Sequence, residues 1–211
     1  MSFIEIKNYS KKLNGNVVLD GITQSFEKGK IYGLAGKNGS GKTMLIRAIC
    51  GLMTATEGEV FVDGVRVGNG TYAKSVGLLI EHVTLFEGMS AFQNLAMLNS
   101  VSQNKISNDD IKNWLSRFSL DPEDKRAIKK YSLGMCQKVN LIQAFMNKPD
   151  LIILDEPTNA LDEASVKLLS QIIKETKQKF NTTFIIASHD KESLNRVCDE
   201  IIEMRDGKIV S

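Results

Sequence analysis

Along the first third of the chain, apolar and polar positions alternate with a period of two between glycines. This predicts short strands over residues 2 to 8, Val17 to Leu19, Ile22 to Phe26 and Ile31 to Leu34. Helical periodicity is absent until Gly41. Val60-Phe61-Val62-Asp63-Gly64-Val65-Arg66-Val67 sets an Asp-Gly pair between two β-branched runs, a strong hairpin signal, and Ser75 to Ile80 predicts another strand. The middle of the chain changes period. Ser107 stands three residues before Asp110 as a helix cap, and Ile111, Trp114, Leu115 and Phe118 then share one helical face. Asp121-Pro122 predicts the start of a further short helix. A helix from about Met135 to Met146 keeps Val139, Ile142 and Met146 in register. Leu151-Ile152-Ile153-Leu154 is so apolar that it predicts a strand buried on both faces. Asp162 to Phe180 predicts a long amphipathic helix bearing Val166, Leu169, Ile172 and Ile173. Strand Thr183 to Ala187, helix Lys191 to Val197 and a hairpin around Asp206-Gly207 complete the pattern. Strands alternating with helices predict a parallel α/β sheet in a single domain over residues 1 to 211, with the helical block at about 85 to 145 inserted as a subdomain.

Length and composition narrow the function classes. A chain of 211 residues supplies one sizeable core and too little for two full domains. Lys+Arg 27 against Asp+Glu 25 leaves a net charge of +2, so no nucleic-acid partner is expected on electrostatic grounds and any affinity for phosphate must be local. No apolar run approaches the roughly 18 residues that a bilayer-crossing helix requires. The alternation in Met1-Ser2-Phe3-Ile4-Glu5-Ile6-Lys7 reads as a first strand and not as a secretory leader. Cys50, Cys136 and Cys198 stand in no metal-binding spacing and fit buried thiols in a reducing compartment.

Local phosphate affinity has an evident source. Gly36-Lys37-Asn38-Gly39-Ser40-Gly41-Lys42-Thr43 follows the pattern G-x-x-x-x-G-K-[ST], after a predicted strand and before a helix bearing Leu45, Ala48, Ile49 and Leu52. Chance produces that pattern in on the order of one in a hundred chains of this length, so the flanking strand and helix decide for a phosphate loop. Its glycines let backbone N–H groups converge on phosphate oxygens at a helix N-terminus. Lys42 would neutralise the β and γ phosphates and the Thr43 hydroxyl would ligate Mg²⁺. The apolar strand Leu151 to Leu154 ends in Asp155-Glu156, at the sheet edge where α/β folds bind ligands. Two acids at a strand end are ordinarily solvated loop residues. Beside a phosphate loop, Asp155 suits the Mg²⁺ shell, and Glu156, pointing differently, suits the acceptance of a proton from water attacking the γ phosphate.

Four further segments make the chain resemble, over essentially its whole length, the nucleotide-binding subunit of an ABC transporter. Tyr131-Ser132-Leu133-Gly134-Met135 resembles the family signature LSGGQ, Asn159-Ala160-Leu161-Asp162 the D-loop, Ser188-His189-Asp190 the switch histidine, and the loop at Glu81 the Q-loop. The resemblance implies a P-loop NTPase fold with a mixed β core sheet, an N-terminal antiparallel β subdomain and an inserted α-helical subdomain. It implies ATP and Mg²⁺ as substrate and cofactor, and a head-to-tail dimer with a second ATP-binding subunit, an identical chain in the simplest case. Ser132 and Gly134 would reach the γ phosphate held by the opposite subunit, and His189 would orient the water. A separate transmembrane permease would seat the dimer on the cytoplasmic face of the membrane.

Three positions depart from the family pattern. Glu81 replaces the glutamine of the Q-loop and stands in its metal-facing position, while Gln93-Asn94-Leu95 corresponds to a later Glu-Asn-Leu segment. Leu133 and Met135 replace the commoner glycine and glutamine of the signature. Leu13 stands where an aromatic ring often stacks on adenine, leaving Tyr9 as the nearest candidate ring. The first two departures are similar to the bacitracin and lantibiotic export or immunity branch, which points to antimicrobial peptides as the transported molecules. A soluble ABC ATPase of translation or DNA maintenance would carry tandem cassettes or a long coiled coil, and the sequence shows one phosphate loop and no heptads. A small P-loop kinase would have no use for the signature or His189. His82 lacks comparable motif support and reads as structural.

Overall fold

The computed structural model describes residues 2–80 and 85–210. Among them the strands form two sheets. In the first, β1 (Ser2–Leu13) pairs antiparallel with β2 (Asn16–Glu27) and with β4 (Glu57–Val62), which pairs with β5 (Val65–Val67). In the second, β9 (Glu200–Arg205), β3 (Ile31–Ala35), β8 (Thr183–Ser188), β7 (Leu151–Asp155) and β6 (Val76–Leu79) lie parallel in that spatial order, and β10 (Lys208–Ile209) closes the far edge antiparallel to β9. Helix α1 (Lys42–Ile49) buries Leu45, Ile46, Ala48 and Ile49 with Ile4, Phe26 and Val62 of the first sheet and Leu34, Ile153 and Ile185 of the second. It is therefore the wedge between them.

The buried strands alternate between two cores. Leu151 and Ile153 face the core around α1, while Ile152 and Leu154 face the other. That second core is built with α4 (Leu133–Phe145), α5 (Glu163–Phe180) and the apolar faces of α2 (Ala91–Val101) and α3 (Asn108–Arg117). At roughly 1.5–3 kcal/mol for each large aliphatic side chain buried, both faces of β7 hold the sheet between its layers. The fold is that of a P-loop NTPase, with the mixed core sheet and antiparallel sheet expected.

The structure alters three local readings. The segments predicted as residues 2 to 8, Val17 to Leu19 and Ile22 to Phe26 are parts of two twelve-residue strands joined at Asn14-Gly15. Irregularities in their pairing accommodate Asn8 and Gly21, both at positive φ, where the Thr23 hydroxyl accepts from Asn8 N–H and Ser10 Oγ accepts from Gly21 N–H. No helix starts at Asp121-Pro122. The Asp121 carboxylate takes the Glu123 N–H at 2.9 Å and the Asp124 carboxylate takes the Arg126 N–H at 2.9 Å, so successive side chains hold the backbone in turns until a single 3-10 turn at Ile128–Lys130. Third, α2 is a distinct helix, started by a reciprocal Ser90–Gln93 capping box of the kind recognised at Ser107–Asp110.

Candidate functional site

β3, β8 and β7 end side by side, Ala35 opposite Ser188 and Asp155 opposite Ala187. Whatever follows each strand therefore meets at one sheet edge. The phosphate loop leaves β3 and enters α1 through Gly41, whose φ of 103° only glycine adopts without strain. No side chain caps α1, although Ser90, Ser107, Ser132, Asp162 and the N-cap Asp190 of α6 (Lys191–Asn195) cap theirs. Its first N–H groups open on a cavity of about 660 Å³ lined by Asn38 to Met44, Asp155, Glu156, Asn159 and His189, with Val17, Val18, Asp206 and Gly207 at the far end.

Lys42 is only 6% exposed. Its ammonium donates to the carbonyls of Gly36 at 2.7 Å and Lys37 at 3.3 Å and stands 3.7 Å from Glu156 Oε1. It is folded over the loop where an anion would lie. The Thr43 hydroxyl donates to Asp155 Oδ2 at 2.6 Å, which places two hard oxygens together at the loop's edge. Ser40 Oγ is buried without a protein partner in the same loop. Oxygen donors beside a phosphate cradle fit Mg²⁺, which binds through one or two protein oxygens and substrate phosphates.

Glu156 follows β7 at a φ of 46°, with its N–H donating to Ala187 O at 2.9 Å. Its carboxylate accepts from His189 N–H at 2.9 Å and Ser188 Oγ at 3.2 Å, and meets His189 Nδ1 at 2.9 Å. Held by these donors and 9% exposed, it lines the cavity beside Lys42. Such a carboxylate can accept a proton from a water within the cavity.

The structure does not bring Ser132 and Gly134 to this cavity. Ser132 caps α4, accepting from Met135 N–H at 3.2 Å. Gly134 is pressed against the D-loop, where an added Cβ would fall 2.7 Å from the Ala160 carbonyl. Gln137 Nε2 donates to Pro157 O at 3.0 Å, a second tie between α4 and the segment after Glu156. Leu133, between the two signature residues, is 76% exposed. Glu81 and His82 lie outside the described residues. Tyr9 is buried, with its hydroxyl on Met53 O at 3.1 Å, and so does not face the cavity. The far end of the cavity is walled by Val17 and Val18, joined by Asp206 and Gly207. Those residues read in the sequence only as strand and turn, because nothing local marks a segment that tertiary packing carries to a distant loop.

The ABC transporter family model matches residues 19–159. The chain belongs to the ABC transporter family. It is an ABC ATP-binding subunit and an ATPase. An uncharacterized ABC transporter ATP-binding protein of Bacillus subtilis, YybJ, is 44% identical over 98% of this chain and 94% of its own length. The lantibiotic transport ATP-binding protein SrtF of Streptococcus pyogenes is 31% identical over 98% of this chain and 89% of its own. Among solved structures, an ATP-binding subunit of an ABC transporter superposes with a TM-score of 0.89 at 26% identity, over 100% of this chain and 89% of that one. The dimeric post-hydrolysis structure of the cassette MJ0796 bound to ADP and Pi gives 0.88 at 22% identity, over 99% and 97%. Among the described residues of this ABC subunit, no helix is long and apolar enough to cross a membrane.

Proposed function

We propose that the chain hydrolyses ATP as one half of a head-to-tail dimer and drives a separate membrane permease that moves antimicrobial peptides. The observation that carries this reading is the incompleteness of the single chain. Lys42, Thr43, Asp155, Glu156 and His189 share one cavity, whereas Ser132 and Gly134 stand apart from it on the exposed start of α4. A second subunit, an identical chain in the simplest case, would lay its Ser132 hydroxyl and the N–H groups at Gly134 over the γ phosphate. The partner permease would seat the dimer on the cytoplasmic face of the membrane. Residues 1 to 211 would act as a single ATPase domain whose helical part, about 85 to 145, passes closure to the permease.

Gly36 to Thr43 would wrap the phosphates with backbone N–H groups, and Lys42 would leave the Gly36 and Lys37 carbonyls for the β and γ phosphates. Thr43, Asp155 and Glu81 would hold Mg²⁺, which supplies neutralisation of phosphate charge. Glu156 would accept the proton of the attacking water while the water oxygen bonds to the γ phosphorus. The bond to the bridging oxygen then breaks and ADP departs with the electron pair. His189 would contact the γ phosphate and align that water. The antimicrobial-peptide class rests on Glu81, on the Tyr131 to Met135 signature and on the similarity to SrtF.

Light scattering of the Glu156→Gln protein tests the dimer. Its mass is expected to double with MgATP and to stay monomeric without it, while turnover falls by about 10²–10⁴-fold, the usual contribution of a general base. A variant that binds ATP and remains a monomer contradicts the sandwich, and one that keeps its turnover contradicts the role of Glu156.

A further inference from the structure

Ser188 ends β8 with 1% of its surface exposed. Asp190 N–H donates to Ser188 Oγ at 3.1 Å, and Ser188 Oγ lies 3.2 Å from Glu156 Oε2. A hydroxyl owns one proton. With Oγ accepting from Asp190, that proton is directed at the carboxylate.

The same Oε2 meets His189 Nδ1 at 2.9 Å, so two groups compete for one end of the carboxylate. They differ in freedom. The His189 side chain is 56% exposed and can swing without leaving a packed core, whereas Ser188 is enclosed on a central strand between β3 and β7. When the His189 ring turns to a phosphate, its backbone N–H, on Oε1 at 2.9 Å, and the Ser188 hydroxyl are the hydrogen-bond donors that, among the described residues, still fix the carboxylate. Lys42, now 3.7 Å from Oε1, would also be drawn away by phosphate.

We infer that Ser188 is a positioning residue for hydrolysis: its hydroxyl keeps the Glu156 carboxylate aimed into the cavity once nucleotide has claimed His189 and Lys42. The inference rests on the proposed role of Glu156 as proton acceptor. It assigns Ser188 no contact with ATP, so its effect belongs on kcat and not on nucleotide binding.

Steady-state hydrolysis by the full-length wild type, Ser188→Ala and Ser188→Thr, with Glu156→Gln alongside, tests this. Ser188→Ala is expected to lower kcat about tenfold by loosening the reacting geometry, with KM for ATP within about twofold of wild type. Ser188→Thr restores the hydroxyl and is expected to recover kcat to within about threefold. Ser188 borders a small cavity of about 40 Å³, lined in part by Ile173, Ile186 and Leu194, that the added methyl is expected to use. A wild-type kcat in Ser188→Ala, a loss confined to KM, or a Thr variant as slow as the Ala variant would each overturn the inference. Unimpaired turnover in Glu156→Gln would instead remove the reading beneath it, whatever Ser188 does.

Discussion

Burial decides the chemistry of several single residues. Desolvation pushes the Cys50 and Cys198 thiols up to about 12 and raises Cys136 as well. Only the thiolate attacks electrophiles, so all three are expected to resist iodoacetamide in the native protein at pH 8 and to react fully in denaturant, as intact-mass measurement would report. Rapid native labelling of Cys50 would contradict its packing against the α1 core. Tyr9 shows the same principle in a phenol. Burial drives it up to about 12, and the hydroxyl that a sequence reading leaves free for adenine is committed to Met53.

At the scale of elements, side chains that close turns carry much of the architecture between β6 and β7. Asn94, fully buried on α2, accepts the Phe86 N–H at 2.7 Å and donates to the carbonyls of Ser90 at 3.0 Å and Phe86 at 3.2 Å. The loop so fixed receives Ile128 N–H on Met89 O at 2.8 Å and Lys129 N–H on Glu87 O at 3.2 Å. One carboxamide thus ties the start of α2 to the turn that precedes Ser132. Asn94→Ala would leave the Phe86 N–H without its acceptor, while the Phe86 and Ser90 carbonyls keep the Met89 and Asn94 N–H groups, and is expected to cost about 2 kcal/mol, read as a lower urea midpoint at unchanged m-value. Ser107→Ala, losing an exposed cap, should cost only about 1 kcal/mol.

Across the whole molecule, Asp199 joins three elements. Its carboxylate accepts from Ile31 N–H on β3 at 2.7 Å and pairs with Lys177 on α5 at 2.7 Å, just before β9 begins. Partial burial alone raises its pKa, but the Lys177 ammonium and the Ile31 N–H outweigh this and hold the carboxyl below its ordinary 3.8. A lowered folded value gives stability that is present above 3.8 and is lost as pH falls through the folded value. Asp199→Asn is therefore expected to destabilise by about 1 kcal/mol at pH 7, a figure kept small because the pair is partly solvated. The gap to wild type should narrow as pH falls below 3.8 and through the folded value, which denaturant titrations at pH 7 and in that acidic range would measure. An equal gap at both would contradict the charge-based account.

The periodicity of the chain determined most elements, since alternation in β4 and β5, the 3.6-residue stripe of α5 and the unbroken apolar run of β7 are local consequences of which faces must be buried. The phosphate loop was legible for the same reason: its glycines, Lys42 and Thr43 lie within eight consecutive residues. Asp155, Glu156 and His189 were legible as strand-end groups, and their family resemblance supplied roles. Tertiary structure alone decided that Val17, Val18 and the Asp206-Gly207 turn close the far end of the cavity, that Tyr9 faces inward, and that Ser188 braces Glu156. The last depends on β8 and β7 lying side by side, and the others on how the separate β2-β1-β4-β5 sheet sits over the cavity and beside Met53. Residues far apart along the chain met because of the hydrogen-bonded neighbours their strands selected, and no local pattern encodes that choice.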